Sequence, residues 1–442
     1  MTEVTKEQTF LSGILSGYQP VSADGLLAEL RSEARKELEA QELPTPKHEE
    51  WKYVNLRPLK KHNFVPASAP DLSSVDLSAL AFEEAKDARL VFVNGKFISD
   101  LSSVADLPEG VIVGNLPDYL ESHGEIIAAN LNKHAVWEDD VFIPFNTAAF
   151  EDAAFIYVPK DTKVENPVHV LFVNTDTQEE FATAPRVLLI GERFAEMTLI
   201  EDHIGLGNNT YLAASVAETA LDENAHFTHI KLQRESKKAY HISRIAASIQ
   251  RNSEYHSYSV HLGSKISRSD IMAVLKDENT HVTLDGIVMV NGDQISDTHS
   301  IMDHTMPNCT SHQLHKCIVD EEGSSVFNGK IFVRKDAQKT DAFQENRNLQ
   351  LSEKGSVNTK PQLEIFADDV SCSHGATVGQ LDEEQMFYLK SRGVSEAKAK
   401  EILTYGFALD VIESIPVSSI QERLSKEVEK FTTRNNSVET TV

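Results

Sequence analysis

The chain has 442 residues, of which 40% are hydrophobic, so it can bury a large core and form more than one domain. Its 42 basic and 68 acidic side chains give a formal net charge of −26, which argues against nucleic-acid binding and favours solubility or a basic partner. Three cysteines do not make a disulfide framework, and we find neither a signal-peptide pattern nor an apolar run of membrane-spanning length, so we expect a reduced, cytoplasmic protein.

Residues 1–85 are predicted to form an N-terminal helical domain. Between residues 23 and 42, apolar side chains recur with the period of one helix face, and the pattern stops before Pro44. The stripe consists of Leu27, Leu30, Ala34 and Leu38. Further along, we expect Trp51 and Tyr53 to be buried as large anchors of this domain.

Residues 86–380 are predicted to form a β-type core. Its first signal is the run 90–93, which meets the pair Asn94-Gly95, a strong signal for a tight hairpin turn. A helical interlude is expected at about residues 118–133, and short β-type runs dominate from Phe142 onward. The clearest of these runs are residues 154–158, 168–173 and 187–190.

A weak period marks the middle of this core. Comparable polar-then-apolar stretches open at asparagines that are 28, 27 and 29 residues apart, namely Asn224, Asn252, Asn279 and Asn308. Short strands at such a spacing, without intervening helices, are typical of a solenoid whose coils stack. A β-sandwich of similar strand density fits the period about as well, so periodicity alone leaves the choice open.

Residues 381–442 are predicted to form a C-terminal helical domain. Asp382 with Gln385, and Ser418 with Gln421, have the spacing of helix capping boxes. An amphipathic helix is expected to start after Ser395. Its apolar face would consist of Ala399, Ile402, Leu403, Phe407 and Val411. Such helices must cover the end of the solenoid, bind a partner, or do both.

The most informative chemical signal is the segment 369–379, in which Cys372 and His374 stand two residues apart. In an extended strand, residues i and i+2 point to the same side, so the thiol and the imidazole would face the same way. This pair suits zinc, iron, copper(I) or an iron–sulfur cluster, but two ligands are only half of a site. On spacing alone, a packed thiol and a locally hydrogen-bonded histidine would be the commoner outcome.

A second group of potential ligands precedes that segment. It consists of Cys309, His312, His315 and Cys317. In an extended strand Cys309, His315 and Cys317 would share a face while His312 would point away, and such ligands could hold zinc on spacing grounds. Free cysteine behaves as a small hydrophobic residue, however, so we favour burial of these cysteines in the core over a metal site.

Several enzyme signatures are absent from the sequence. There is no Gly-x-x-x-x-Gly-Lys-Ser/Thr loop for ATP hydrolysis and no Gly-x-Ser-x-Gly elbow. Three cysteines cannot supply the four thiolates of a self-contained cluster. A polysaccharide-active β-helix enzyme is the alternative from another class, but only the charged run 334–336 suggests it, and a solvated charge run explains those residues as well.

Six segments spread over most of the chain carry a family resemblance. They are residues 47–53, 90–95, 327–333, 358–379, 382–393 and 406–408. In these segments the chain resembles the SufB/SufD family, the scaffold proteins of the SUF iron–sulfur assembly system. Gly375 after the motif histidine and the run Trp51-Lys52-Tyr53 are similar to the SufD branch. A SufB-type subunit is the alternative within the family, but it should carry its own sulfur-accepting cysteines.

The resemblance implies a right-handed parallel β-helix flanked by helical ends. It also implies a non-catalytic scaffold that pairs with a SufB-like subunit and, through its C-terminal helices, with the SufC ABC-type ATPase. Cys372 and His374 would then lie at the partner interface as a half-site for a transient iron–sulfur cluster or iron. No cluster would be bound stably by the chain alone, and a homodimer could form when the SufB-like subunit is absent.

Overall fold

The computed structural model describes residues 9–18, 25–68, 70–86, 88–136 and 140–433. Strands make up most of the middle of the chain, and helices lie towards both ends. The helices are α1 Phe10–Leu15, α2 Leu26–Ala40, α3 Leu77–Leu80, α4 Leu120–Asn130, α5 Phe142–Ala149, α6 Glu383–Ser391, α7 Glu396–Ser414 and α8 Ser418–Thr433. Short 3₁₀ turns occupy Glu49–Trp51, Arg57–Lys61, Leu72–Ser74, Glu83–Ala85, Ser99–Leu101 and Leu116–Tyr119.

The strands of the chain are short and closely spaced. They are β1 Val65–Pro66, β2 Ala88–Val93, β3 Lys96–Phe97, β4 Ser103–Val104, β5 Ile112–Asn115, β6 Ala154–Val158, β7 Val168–Thr175, β8 Phe181–Thr183, β9 Arg186–Gly191, β10 Glu196–Leu206, β11 Tyr211–Leu221, β12 His226–Arg234, β13 Tyr240–Ile249, β14 Glu254–His261, β15 Ile266–Leu275, β16 His281–Val290, β17 Ile295–His304, β18 Thr310–Val319, β19 Ser324–Val333, β20 Asp341–Gln350, β21 Ser356–Ile365 and β22 Ser371–Gly379. The turn at Asn94 and Gly95, both with positive φ, joins β2 to β3 as the sequence predicts.

The core is a parallel β-helix of about eight turns. Two sheets of 11 strands face each other: sheet A has the main order β21-β19-β17-β15-β13-β11-β9-β6-β5, and sheet B has the order β22-β20-β18-β16-β14-β12-β10-β7-β2-β3. From β10 onward consecutive strands alternate between the sheets, and each pairs in parallel with the strand two positions along the chain. This pairing selects the solenoid over the β-sandwich, because a sandwich of antiparallel sheets would pair its strands in the opposite direction.

The predicted asparagine period corresponds to one turn position in successive coils. Asn224, Asn252, Asn279 and Asn308 all adopt the left-handed conformation, with φ of 60°, 58°, 58° and 60°. Their side chains form a ladder, in which Asn252 Nδ2 donates to Asn224 Oδ1 at 3.1 Å and Asn279 Nδ2 donates to Asn252 Oδ1 at 3.2 Å. Asparagine recurs there because it tolerates positive φ better than other residues with a side chain.

Replacing Asn252 with alanine is expected to lower the free energy of unfolding by about 1–2 kcal/mol, because alanine pays the steric cost of positive φ. Asn252→Gly keeps the backbone conformation without that cost and loses only the exposed ladder bonds. Urea unfolding of both variants gives the comparison. An alanine variant as stable as the glycine variant would show that the turn geometry does not select asparagine.

Helices α1, α2 and α5 pack together beside sheet A. Leu27, Ala34 and Leu38 are buried on α2 as predicted. Residues 142–149 contradict the β-type assignment from Phe142 onward, because they form α5. Every residue of α5 is buried, so the segment lacks the alternation of apolar and polar residues by which a surface helix is recognised.

The C-terminal helices begin largely where the sequence predicts. Asp382 Oδ1 accepts hydrogen bonds from the backbone N–H groups of residues 384 and 385, and Ser395 caps α7. The second capping box does not form, because Gln421 donates instead to the carbonyl oxygens of residues 413 and 415. Ile402, assigned to the apolar face, is exposed, because the buried face of α7 runs through other positions. No helix in the described ranges is long and apolar enough to cross a membrane.

Helices α7 and α8 cover the side of the solenoid rather than its end. Val411 and Ile412 of α7 pack with Ile287 of β16 and Ile318 of β18 in one apolar cluster on the outer face of sheet B. Lys316 of β18 fixes this contact, since its Nζ donates to the carbonyl oxygen of residue 407 at 2.7 Å and to the carboxylate of residue 410 at 2.6 Å. The final coil of the solenoid therefore remains uncovered by these helices.

Candidate functional site

The segment with the predicted ligands forms β22, the last strand of sheet B. One edge of β22 pairs with β20, and the opposite edge has no strand partner among the described residues. The same holds for β21 at the end of sheet A, which pairs only with β19. Most residues of β22 are exposed, and β21 is largely half-buried, unlike the buried strands before them. The last coil thus presents two free strand edges and an open interior.

Cys372 and His374 lie on one face of β22, as the sequence predicts. In the register of the sheet, Cys372 stands beside Ala342 and His374 beside Gln344, and both of these β20 residues are buried inside the solenoid. Cys372 is half-buried against the apolar core. His374 is exposed, although it continues an inward-facing position, because no further coil is stacked on β22 in the described chain.

The two donors can hold a metal only with help from elsewhere. A strand rises about 3.3 Å per residue, so Cys372 and His374 are about 6.6 Å apart along β22. The described residues contain no group of three or more His, Cys, Asp or Glu side chains arranged to bind a metal ion. Burial raises the pKa of the Cys372 thiol and so disfavours the thiolate, whereas a bound metal favours it. The remaining ligands of such a site would have to come from another molecule.

The second group of candidate ligands is not brought together. Cys309 precedes β18 and is fully buried, and its thiol donates to the carbonyl oxygen of residue 277 at 3.2 Å. On β18, His315 and Cys317 face the interior of the solenoid. His312 faces outward and stacks on Phe343, with ring centroids 5.1 Å apart. Along an extended chain Cys309 and His315 are separated by about 20 Å. These cysteines fill the core, and burial raises the pKa of Cys317 to about 11.

Several apolar side chains are exposed on the segments before and after β22, and the sequence analysis did not predict them. Phe366 directly follows β21 and is 58% exposed, and on α6 Phe387 and Tyr388 are 74% and 58% exposed. Ile365 and Val378 are exposed as well. Adjacent apolar pairs at 365–366 and 387–388 were the available signal, but only the uncovered position of these segments distinguishes them from core residues. The two exposed pairs, one before β22 and one after it, are therefore candidate contact points for a partner.

The charged run 334–336 suggested a polysaccharide-active site, but its arginine forms an ion pair within the solenoid. Arg334 forms a two-pronged ion pair with Asp303 on the neighbouring strand, at 2.7 Å and 2.9 Å. The guanidinium is therefore engaged on the surface of the solenoid, in the manner of an ordinary cross-strand pair.

Comparison with known families assigns nearly the whole chain. Residues 172–407 match the model described as SUF system FeS cluster assembly, SufBD core domain. Residues 20–170 match the SufBD protein N-terminal region. The chain belongs to the SufBD family. The core match includes β22, so the segment with Cys372 and His374 lies within the family's defining domain.

Individual relatives of this SufBD protein are similar over most of their length. An iron–sulfur cluster assembly SufBD family protein of Synechocystis sp. is 36% identical over 96% of this chain and 93% of its own. The iron–sulfur cluster assembly protein SufD of Escherichia coli is 32% identical over 86% and 88%. SufD of Bacillus subtilis is 26% identical over 97% and 98%. The family assignment places this SufBD protein in iron–sulfur cluster assembly by the SUF system.

Proposed function

We propose that this SufBD protein is a non-catalytic, cytoplasmic scaffold subunit, and that Cys372 and His374 supply half of the ligands for a nascent iron–sulfur cluster or its iron. The observation that carries the proposal is the position of these two donors on an unpaired edge strand at the open end of the solenoid. The cluster is cargo in this scheme: it is built at an interface and passed on, which suits an incomplete and exposed ligand set.

The partner at this end is a SufB-like subunit. Two features support this assignment, namely the free edges of β21 and β22 and the exposed side chains of Ile365, Phe366 and Val378 on the same coil. A free strand edge offers unpaired N–H and C=O groups to a second chain, and such edges are normally protected in a protein that acts alone. A second copy of this chain would meet the same edges when the SufB-like subunit is absent, and a homodimer would result.

Analysis of iron and sulfide after anaerobic purification tests the scaffold assignment. The chain expressed alone is expected to be colourless, because neither the two donors of one chain nor the two Cys372 thiols of a homodimer supply the four thiolates of the usual cluster. The chain co-expressed with a SufB-like subunit and the SufC ATPase is expected to retain iron and sulfide. About one intact cluster per chain in the absence of any partner would falsify the half-site assignment.

The SufC ATPase is proposed to dock on helices α6 to α8. Phe387 and Tyr388 of α6 and Ile402 of α7 present exposed apolar surface there. Ala399, by contrast, is fully buried within the helical hairpin, so a charge introduced at that position would unfold the hairpin rather than report on docking.

Replacing Phe387 with serine is expected to weaken ATPase binding by about tenfold or more, because exposed aromatic residues often contribute most of an interface's binding energy. Phe194→Ser is the matched control, since Phe194 is another exposed phenylalanine but lies at a turn of the solenoid. Titration calorimetry measures both affinities, and thermal melts confirm that both variants fold. Equal affinities for the two variants would remove α6 from the docking surface.

A further inference from the structure

The interior of the solenoid has an apolar half and a polar half. The apolar half is built from side chains such as Ile271, Ala273, Met302 and Ile331. In the polar half, one inward position of sheet B passes from coil to coil through Glu201, Lys231, Ser259, Gly286, His315, Asn346 and Ala376. The adjacent position passes through Leu199, His229, Ser257, Leu284, Gln313, Gln344 and His374. Polar side chains therefore occupy most coils at these two positions, and the exceptions are Leu199, Leu284, Gly286 and Ala376.

A buried ionic cluster lies at the start of this polar half. Glu201 accepts hydrogen bonds from His203 Nε2 at 2.6 Å and from His229 Nε2 at 2.9 Å, and Lys231 Nζ is 3.6 Å from the same carboxylate. All four side chains are essentially inaccessible to solvent around the folded chain. Burying ionised groups is costly unless further polar partners surround them, so the cluster requires a polar environment beyond its own members.

The polar file continues between the cluster and the last coil. A Cβ atom on Gly286 would lie 2.6 Å from His315 Nδ1 and 3.0 Å from Ser259 Oγ, so glycine at this position allows the two polar side chains to converge over the strand. Asn346 Nδ2 in turn donates to the carbonyl oxygen of residue 315 at 3.2 Å. Polar groups thus follow one another from β14 to β20.

Eight buried polar atoms on the strands around this polar half have no hydrogen-bond partner among the described side chains and backbone. They are Ser259 Oγ, both ring nitrogens of His261, Ser269 Oγ, Thr298 Oγ1, His315 Nε2, and the amide nitrogen and oxygen of Gln344. Each buried polar atom left unpaired costs free energy, and the summed cost would be comparable to the net stability of a typical domain. Buried water molecules normally satisfy such groups.

We propose that the polar half of the solenoid binds a file of water molecules that extends from the Glu201–Lys231 cluster to the open coil at His374. The file satisfies the unpartnered atoms and exchanges with solvent where β22 is exposed. It gives the buried cluster a route for protons and water that does not require the fold to open. The apolar half excludes water, so the route is confined to one side of the interior.

Rates of thiol labelling test whether water reaches the polar half of the interior but not the apolar half. Ser259→Cys introduces a thiol into the polar half, and Ala273→Cys introduces one at an equally buried position of the apolar half on the adjacent strand. We expect methyl methanethiosulfonate to modify the new thiol of Ser259→Cys about tenfold faster, because local opening alone would expose both positions alike. Mass spectrometry identifies the modified site in the full-length chain. Equal rates, or faster labelling of Ala273→Cys, would overturn the proposal.

A second variant keeps the inference testable if a cysteine variant fails to fold. Gln344→Leu removes two unpartnered polar atoms at nearly constant volume. In a dry interior this change raises the Tm by a few degrees, because two unpaired groups disappear. In a hydrated interior the Tm stays the same or falls, because hydrogen bonds to water are lost. A rise in Tm would therefore contradict the water file, and the scaffold assignment would be unaffected by either result.

Discussion

Replacing His374 with alanine is expected to impair iron–sulfur cluster assembly in cells severely while leaving the chain folded. The imidazole faces the open end of the solenoid and is exposed, so its removal creates no cavity. We expect the Tm to change little, because surface substitutions usually alter the free energy of unfolding by at most about 0.5 kcal/mol. Loss of a metal-binding side chain reduces metal affinity by at least about 10–100-fold. Activity of an iron–sulfur enzyme in a complemented strain measures the effect.

Neighbouring residues supply the controls for this experiment. Ser373→Ala alters the opposite face of the same strand, and we expect normal assembly. Cys372→Ser should resemble His374→Ala or be milder, depending on whether the thiol is itself a ligand. Cys309→Ser and Cys317→Ser should act through stability, because both thiols are buried. If the His374→Ala strain were fully active and the Cys317→Ser protein were stable but inactive, the ligand site would have to be assigned to Cys317 inside the solenoid instead.

Replacing Arg268 with alanine is expected to cost about 3–5 kcal/mol of the free energy of unfolding, the usual penalty for leaving buried charges without their partner. Arg268 donates to both carboxylate oxygens of Asp270 at 2.9 Å and to Asp297 at 2.8 Å. Its guanidinium also lies over the ring of Trp51, 4.1 Å from the centroid, and donates to the carbonyl oxygen of Glu50. One side chain therefore joins two coils of the solenoid to the N-terminal segment.

The destabilisation caused by Arg268→Ala should depend on pH in a defined direction. Burial alone would raise the pKa of Asp270, but the charges of Arg268 and Arg244 and the hydrogen bonds from Arg268 together outweigh it and hold that pKa well below its usual range. The ion pair therefore stabilises the wild-type protein above about pH 4, and this stabilisation falls as the pH drops towards the lowered pKa. In Arg268→Ala the carboxyl group loses that partner, so the difference between variant and wild type should shrink in acid.

Urea unfolding at pH 7 and at about pH 3 measures both effects, because the lower pH lies below the ordinary carboxyl pKa and above the lowered pKa of Asp270. Arg251→Ala is the control, because Arg251 forms an exposed ion pair with Asp277 at 3.2 Å on the surface of a turn. Exposed pairs contribute about 0–1 kcal/mol, so little change is expected there. If Arg268→Ala lowered the free energy of unfolding no more than Arg251→Ala does, the N-terminal segment would be held by other contacts.

The Arg268 contact also explains why the predictions for Trp51 and Tyr53 had different outcomes. Trp51 is buried as predicted, whereas Tyr53 is exposed, contrary to the prediction. Two aromatic residues in one motif both suggested anchors. The Trp51 ring lies under the guanidinium of Arg268, and this partner on the solenoid lies more than two hundred positions away in the sequence.

Local chemistry alone determined several features of this protein. The asparagines at intervals of 27 to 29 residues predicted the coil period, because one residue type tolerates the conformation that each turn needs. The spacing of Cys372 and His374 predicted a shared face, because side chains alternate along any strand. Asp382 and Ser395 predicted helix starts, because capping involves only the next few residues.

Tertiary structure alone decided which surfaces remain open. Helix α5 is buried on every side, so its sequence lacks the periodicity that identifies a helix. Helices α7 and α8 could have covered the end of the solenoid, but they pack against its side and leave β21 and β22 exposed. That choice depends on contacts between elements far apart in the chain, such as Lys316 with α7, and no local pattern encodes it. The same physical reason makes His374 an exposed donor, although its inward-facing position is occupied by buried residues in every earlier coil.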